Sequence, residues 1–365
     1  MKTFLICILS CLSVSAWASE VRYAKNFSIE VLDTHKEITV RNTWKGAGDR
    51  EQVYALVPRK SALPKLDKGT IVIRTPVERL AIMATVFLGP IRDLDLYDSL
   101  VGIAYLDYAN DEKAHQLVDS GAARRIQSGT AMDVESMLML QPDLILTSTT
   151  GNPTFDVHPQ MLRAGLPVVV TAGYMEAHPL ARTEWIKFVA AFYDKEEEAE
   201  RIFSQIAERY EALVALAKNT KERPTVFASA PYSGVWHVPG GQSYSATAFM
   251  HAGADYLWAD NPSKGGVPLD VEVILKRAAK ADFWLNPSHY DSIRGLLSAD
   301  ERFAAFEALQ KGRVYNNTVR VNENGGNDIF ERGVSHPEEV LADLIKIFHP
   351  ELVPDHEFVF YERLK

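Results

Sequence analysis

Cysteine is almost absent from this chain of 365 residues: Cys7 and Cys11 are its only two. Both fall in the first eighteen residues, so the rest of the chain has no thiol to form a disulfide, ligate a metal or act as a nucleophile. Also missing is any apolar run of the about 20 residues that a bilayer-crossing helix needs. No Gly-rich loop ends in Gly-Lys-Ser/Thr and no Gly-x-Gly-x-x-Gly occurs, which removes the common nucleotide and dinucleotide sites. Ser233 and Ser243 have glycine neighbours, but neither stands in the Gly-x-Ser-x-Gly frame of a hydrolase nucleophile. Positive charge is in deficit too. The formal net charge of −9 opposes a general role on nucleic acid or anionic lipid.

What is present begins with an export signal. Lys2 gives a positive start, Phe4 to Val14 an apolar stretch, and Ala16-Trp17-Ala18 a small-x-small cleavage pattern. Residues 1–18 are therefore expected to be removed on export. A lipid anchor on Cys11 fits poorly, because Leu9 stands two before it, where a small residue is needed. Loss of Lys2 takes the charge to −10. An exported chain without disulfides must rely on apolar burial, and 47% hydrophobic content over a chain of this length is enough for two lobes.

Residues 19–68 read as an N-terminal β extension: Phe27 to Asn42 alternates around a charged tip at Asp33 to Lys36, and Gln52 to Val57 is another short strand. From residue 69 strand and helix alternate. Thr70 to Arg74, Leu100 to Ala104, Leu144 to Thr147 and Val168 to Thr171 are short apolar strands separated by helical stretches, with Pro76 suited to a first helical turn. A first lobe over 69–193 follows, with a parallel sheet and crossover helices. Ala199, Ile202, Phe203, Ile206, Tyr210, Leu213 and Val214 then keep helical spacing. They predict one amphipathic helix within 194–220, about 33 Å long at a rise of about 1.5 Å per residue. Thr225 to Ala228, Phe283 to Asn286 and Val314 to Tyr315 restart the rhythm as a second lobe over 221–349. That lobe closes with a helix from Pro337 to Phe348, leaving a tail over 350–365. The fold class is α/β: two βα lobes with mostly parallel sheets joined by one long hinge helix, plus the β appendage.

One segment occurs twice. Asp133-Val134-Glu135 and Asp270-Val271-Glu272 each precede an apolar helix, an aspartate (Asp143, Asp282) and a strand. Asp133 and Asp270 are natural N-caps. Glu135 and Glu272 suit the helix dipole, and as first-turn residues on two lobes they also suit a basic docking partner.

Taken in order, Ile71-Val72-Ile73-Arg74-Thr75-Pro76 with Glu78, Met132 to Ser148, Gly165-Leu166-Pro167-Val168-Val169-Val170, the long helix and Lys311-Gly312-Arg313-Val314-Tyr315 resemble a known family. It is the helical-hinge class of periplasmic binding proteins, which serves ABC importers of iron siderophores, haem and cobalamin. The resemblance covers about residues 69 to 349. It implies a periplasmic location, a ligand held between strand C-terminal ends, small closure about a stiff helix, and a membrane permease with its ATPase as partners. It also implies that Glu135 and Glu272 contact permease arginines. The expected ligand is a metal chelate, whether ferric siderophore, haem or corrinoid, bound by a monomer with no intrinsic cofactor.

Loops after strands supply the candidate ligand-binding residues: Thr75, Tyr105, Tyr108, Ser128, Ser148 and Tyr174 on the first lobe, Tyr232, Trp236, His289 and Tyr290 on the second. Aromatic walls with a few hydrogen-bonding groups suit a bulky ligand with an apolar rim. Tyr105, Tyr108, Tyr174 and His289 are candidate axial ligands to haem iron. Arg74, Arg294 and Arg320 are candidate carboxylate clamps. The ten histidines show no close spacing of a metal signature. A bare transition-metal-ion binder of the same fold would need several to converge, His158, His178, His237, His251 and His289 among them. A two-lobed tetrapyrrole metal chelatase is the enzymatic alternative, and its cytoplasmic setting conflicts with the export signal. The sequence thus reads as a binding protein and not an enzyme.

Overall fold

The computed structural model of the chain describes residues 20–48, 50–126, 134–152 and 156–365. Residues 1–18, expected to be an export signal, and Ser128 and Asp133 lie outside the described residues. Two βα lobes are present. The first is built on a parallel sheet in the order Arg124–Ile126, Leu100–Ala104, Leu80–Ile82, Leu144–Ser148, Val168–Thr171. Every residue of Leu100–Ala104 and Val168–Thr171 is buried, as expected where helices cover both faces of a parallel sheet. The second sheet runs Asp255–Tyr256, Thr225–Ala228, Phe283–Leu285, Val314–Asn316 in parallel, with Glu362–Arg363 antiparallel at its edge. A small antiparallel sheet of Pro231–Tyr232, Val235–Pro239 and Gly266–Asp270 belongs to the same lobe.

The repeated segment has a physical basis. Asp143 and Asp282 stand just before equivalent strands and pin each to its neighbour. Asp143 Oδ2 accepts the N–H groups of Glu78 and Arg79 at 3.1 and 3.0 Å; Asp282 Oδ2 accepts the N–H and hydroxyl of Thr225 at 2.9 and 2.8 Å. Asp270 does not behave as expected. It occupies the N-cap of helix Val271–Ala278, but its side chain makes no capping hydrogen bond.

Between the lobes runs an unbroken helix, Glu196–Lys218, of 23 residues, about 34 Å at the standard rise. Glu196, Glu197 and Glu198 in its first turn and Lys218 in its last complement the helix dipole. Ala199, Phe203, Ile206, Ala207, Tyr210 and Ala217 form its buried stripe.

The N-terminal extension is an integral sheet, Phe27–Val31, Lys36–Arg41, Glu51–Pro58 and Ile71–Thr75 in that order. Here the structure corrects the reading of the sequence. Ile71–Thr75, expected to open the first lobe's sheet, pairs in parallel with Glu51–Pro58 instead, and Pro76 lies in the turn leading to Leu80–Ile82 and opens no helix. Five consecutive backbone N–H groups tie the extension down. Those of Arg22, Tyr23 and Ala24 donate to the Glu184 carboxylate at 2.7–2.8 Å, and those of Lys25 and Asn26 to Glu176 at 3.0 and 2.9 Å. Fully buried Lys187 completes the clasp, at 3.0 Å from Glu184 and 2.7 Å from Glu200 of the connecting helix. The tail is equally fixed, since buried Asp343 accepts the N–H groups of Val359, Phe360 and Tyr361 and the ring of His356.

Removing one partner of such a buried charge network leaves the others uncompensated. Glu184→Ala is expected to lower stability by about 3 kcal/mol in urea unfolding and to expose residues 20–26 to proteolysis, whereas an exposed control, Glu30→Ala, changes little.

Candidate ligand site between the lobes

The C-terminal ends of both parallel sheets face the gap between the lobes, the place where open α/β sheets hold ligands. Two adjoining cavities occupy it. One, of about 170 Å³, is walled by Val86, Phe87, Pro90, Ser148, Thr171 and Tyr174 of the first lobe together with Phe330 and Val334 of the second. The other, of about 70 Å³, is walled by Tyr244, Phe249, Asn286, Asn317, Pro337 and Tyr361, with Tyr210 of the connecting helix. Arg182, Phe330 and Val334 line both.

Of the residues expected to bind ligand, Ser148 and Tyr174 line the first cavity. Ser148 Oγ lies 3.2 Å from the Thr171 hydroxyl. The Tyr174 hydroxyl donates to a carbonyl, with those of Thr149 and Thr43 at 2.7 and 3.2 Å, and burial raises its pKa to about 12. Tyr105 and Tyr108 are exposed, with ring centroids 6.5 Å apart. His289 stacks on Tyr290 at 4.4 Å, and Tyr232 stands exposed on its hairpin. These five lie outside the walls of the two cavities.

Two expectations are overturned. Trp236 is wholly buried, its indole N–H donates to Ala228 O at 3.0 Å, and its ring packs with Phe227, Trp284, Phe303 and Phe306; it has no face left for a ligand. Thr75 is buried on the N-terminal sheet, away from both cavities. Arg74 donates to the carbonyls of Pro58 and Ser61, and Arg320 pairs with Asp328. The sequence reading missed Arg182, Tyr244 and Phe330, which no local pattern marks as neighbours.

A strap from the second lobe crosses the gap. Asn322 Nδ2 donates to the carbonyls of Asp107 and Ala109, both at 3.0 Å, and Asn110 Nδ2 donates to Gly326 O at 3.0 Å. A Cβ at Gly326 would lie 1.9 Å from Tyr108 O, so only glycine permits this approach. Buried Glu331 accepts the Asn110 N–H. Burial, with Asp328 and Asp111 nearby, pushes its pKa up to about 7. Deeper in, His336 bridges Asp93 of the first lobe and Glu338 of the second at 3.3 Å each. Burial opposes its charge, but the two carboxylates outweigh this and raise it to about 9.

The twin acids sit on the outer surface. Glu135 is exposed in helix Val134–Leu140 beside Leu138 and Met139. Glu272 is exposed in Val271–Ala278 beside Val273 and forms an ion pair with Arg302 at 2.9 Å. Among the described residues, no three His, Cys, Asp or Glu side chains converge as a metal site, and no helix is long and apolar enough to cross a membrane.

The sequence profile of the periplasmic binding protein family matches residues 88–318, more than half of the chain. The chain belongs to that family. Solved relatives of this binding protein share its fold. A periplasmic haem-binding protein from Pseudomonas aeruginosa matches with a TM-score of 0.58 and 18% identity, over 79% of this chain and 98% of that one. A Helicobacter pylori protein solved with Ni(II) bound matches at 0.59 and 18%, over 81% and 92%. A possible iron-binding solute-binding protein from Staphylococcus epidermidis matches at 0.59 and 17%, over 75% and 99%. By sequence, an uncharacterized lipoprotein of Methanocaldococcus jannaschii is 25% identical over 93% of this chain and 84% of its own.

Two outcomes follow for the binding protein. Trp236→Ala is expected to lower stability by about 3–5 kcal/mol, as large aromatic deletions from cores do, without altering ligand affinity when both are measured on folded protein. Glu331 has a folded pKa above its unfolded value, so it stabilises fully below pH about 4.5 and loses that contribution as pH rises through about 7. Urea unfolding from pH 5 to 8 is expected to show wild type losing on the order of 3 kcal/mol relative to Glu331→Gln; parallel curves would remove Glu331 as the titrating group.

Proposed function

We propose that this periplasmic binding protein is the capturing component of an ABC importer. It takes a metal chelate, whether ferric siderophore, haem or corrinoid, into the gap between its lobes and delivers it to a permease. The observation that carries the reading is the pair of adjoining cavities between two strand-end surfaces, joined across the connecting helix. Walls of Phe87, Tyr174, Tyr244 and Phe330 offer apolar and aromatic area to a ligand's rim, while hydroxyls and amides at Ser148, Asn286 and Asn317 offer specific contacts. Haem- and iron-binding relatives of the same fold are consistent with it. A periplasmic location after export goes with this reading, and the lipoprotein relatives make a lipid anchor the alternative form of the same location.

Glu135 and Glu272 carry the docking role. Each stands exposed in the first turn of equivalent helices on the two lobes, with an exposed apolar neighbour, Met139 or Val273. The Glu272–Arg302 pair is solvent-exposed, and such pairs exchange readily for a competing guanidinium. The Glu135→Lys/Glu272→Lys double variant is expected to abolish chelate uptake by cells while leaving the dissociation constant of the purified protein unchanged. Equal loss of affinity would contradict the assignment.

A further inference from the structure

Two turns at strand ends lie on the first-lobe side of the gap, and the N-terminal extension touches both. One follows Leu144–Ser148 and is gathered by Asp156, whose carboxylate accepts the N–H groups of Thr150 and Gly151 at 2.7 and 2.8 Å and the hydroxyls of Thr149 and Thr150. The other is the 3-10 turn Gly173–Met175, which follows Val168–Thr171. Tyr174 joins them. Its hydroxyl is held at the carbonyls of Thr149 and, on the extension, buried Thr43, while its ring stays 41% exposed and lines the larger cavity. A phenol whose hydroxyl is engaged by backbone offers a ligand its ring. Next to Thr43, half-buried Trp44 covers Gly151. That glycine has a φ of +75°, and a Cβ there would overlap the indole, so only glycine permits the approach. Asn42 Nδ2 in turn donates to Asn26 Oδ1 at 2.9 Å, and the Asn26 N–H donates to Glu176, the residue that ends the Tyr174 turn.

We infer that the N-terminal extension is a working part of the ligand site, with Trp44 as a positioning residue that sets the place of Tyr174 and of residues 149–152 at the cavity wall. The inference rests on the gap being the chelate site. Trp44 lines neither cavity, so it acts through Gly151 and the Thr43–Tyr174 contact and not by touching ligand. The extension is fastened separately, by the grip of Glu184 on its first residues. A wall ordered in advance spares the ligand the cost of immobilising it, so the extension raises affinity without adding a contact of its own.

The test combines titration with hydrogen exchange on the purified protein. Hemin, ferric enterobactin and cyanocobalamin are the probes, and the one that wild type binds is carried through the variants. Trp44→Ala is expected to weaken that probe about 10-fold, and Trp44→Phe to restore most of the loss. In the free Trp44→Ala protein, exchange at the Thr150 and Gly151 amides is expected to quicken. A double-mutant cycle with Tyr174→Phe is expected to be non-additive, the double variant binding no more weakly than the worse single one. A ring that only stabilised the fold would move the unfolding midpoint and leave the affinity of folded protein alone. Unchanged affinity in Trp44→Ala, or additive losses in the cycle, overturns the inference while leaving the chelate reading intact. If wild type binds none of the three probes, the chelate reading falls and exchange decides: quickening in Trp44→Ala supports the positioning role, and unchanged exchange overturns it.

Discussion

The separation of the two lobes is set by one uninterrupted helix, and the helix is held by charge and ring contacts on both sides. Toward the first lobe, buried Lys187 reaches Glu200 on the helix while also binding Glu184. Toward the second, Arg209 on the helix pairs with Glu338 at 2.7 Å. At its middle, the Tyr210 ring packs against those of His178 and His251, at 5.9 and 5.8 Å, and its hydroxyl is 3.0 Å from His251 Nδ1. A helix fixed at three points bends only where its hydrogen-bond ladder breaks, and Glu196–Lys218 contains no proline or glycine to break it. The gap is therefore a pre-formed space whose width is decided by the connector before any ligand arrives.

The strap of Asn322 to Gly326 adds a second restraint between the lobes. Its hydrogen bonds to Asp107, Ala109 and Asn110 join loops more than 200 residues apart. Together with His336 and Glu331, they place titrating groups at the seam between the lobes. Relative to the unfolded chain, burial disfavours charge on Glu331 while Asp93 and Glu338 favour it on His336, so both shifts favour the folded state at lower pH.

Much of this architecture was legible in the sequence because it rests on local period and composition. The apolar runs at Leu100, Leu144 and Val168, the helical stripe from Ala199 to Val214, and the repeated acid before Leu144 and Phe283 all declare themselves within a dozen residues. What was not legible depends on pairing at a distance. Ile71–Thr75 looks like any strand of the first lobe, and only its partner Glu51–Pro58 assigns it to the extension. Trp236 lies on a strand that alternates exposed and buried positions; the sequence gives the alternation but not its phase, and the buried phase belongs to Trp236. Ser148 and Tyr174 follow strand ends and so could be named in advance. Arg182 and Phe330 come to the cavity from a short helix and a turn, and nothing but the folded chain brings them together.

The stiffness of the connector is the claim on which the rest turns, and interlobe distance tests it most directly. Cysteines introduced at exposed Met139 and Val273, one on each lobe, can be spin-labelled selectively in protein lacking the first eighteen residues, because the chain's two cysteines are Cys7 and Cys11. Pulsed electron–electron resonance on the mature protein is predicted to give a single narrow distance distribution, moving by less than its own width when a chelate binds. A broad or two-peaked distribution in the free protein, or a large contraction on binding, would contradict the account.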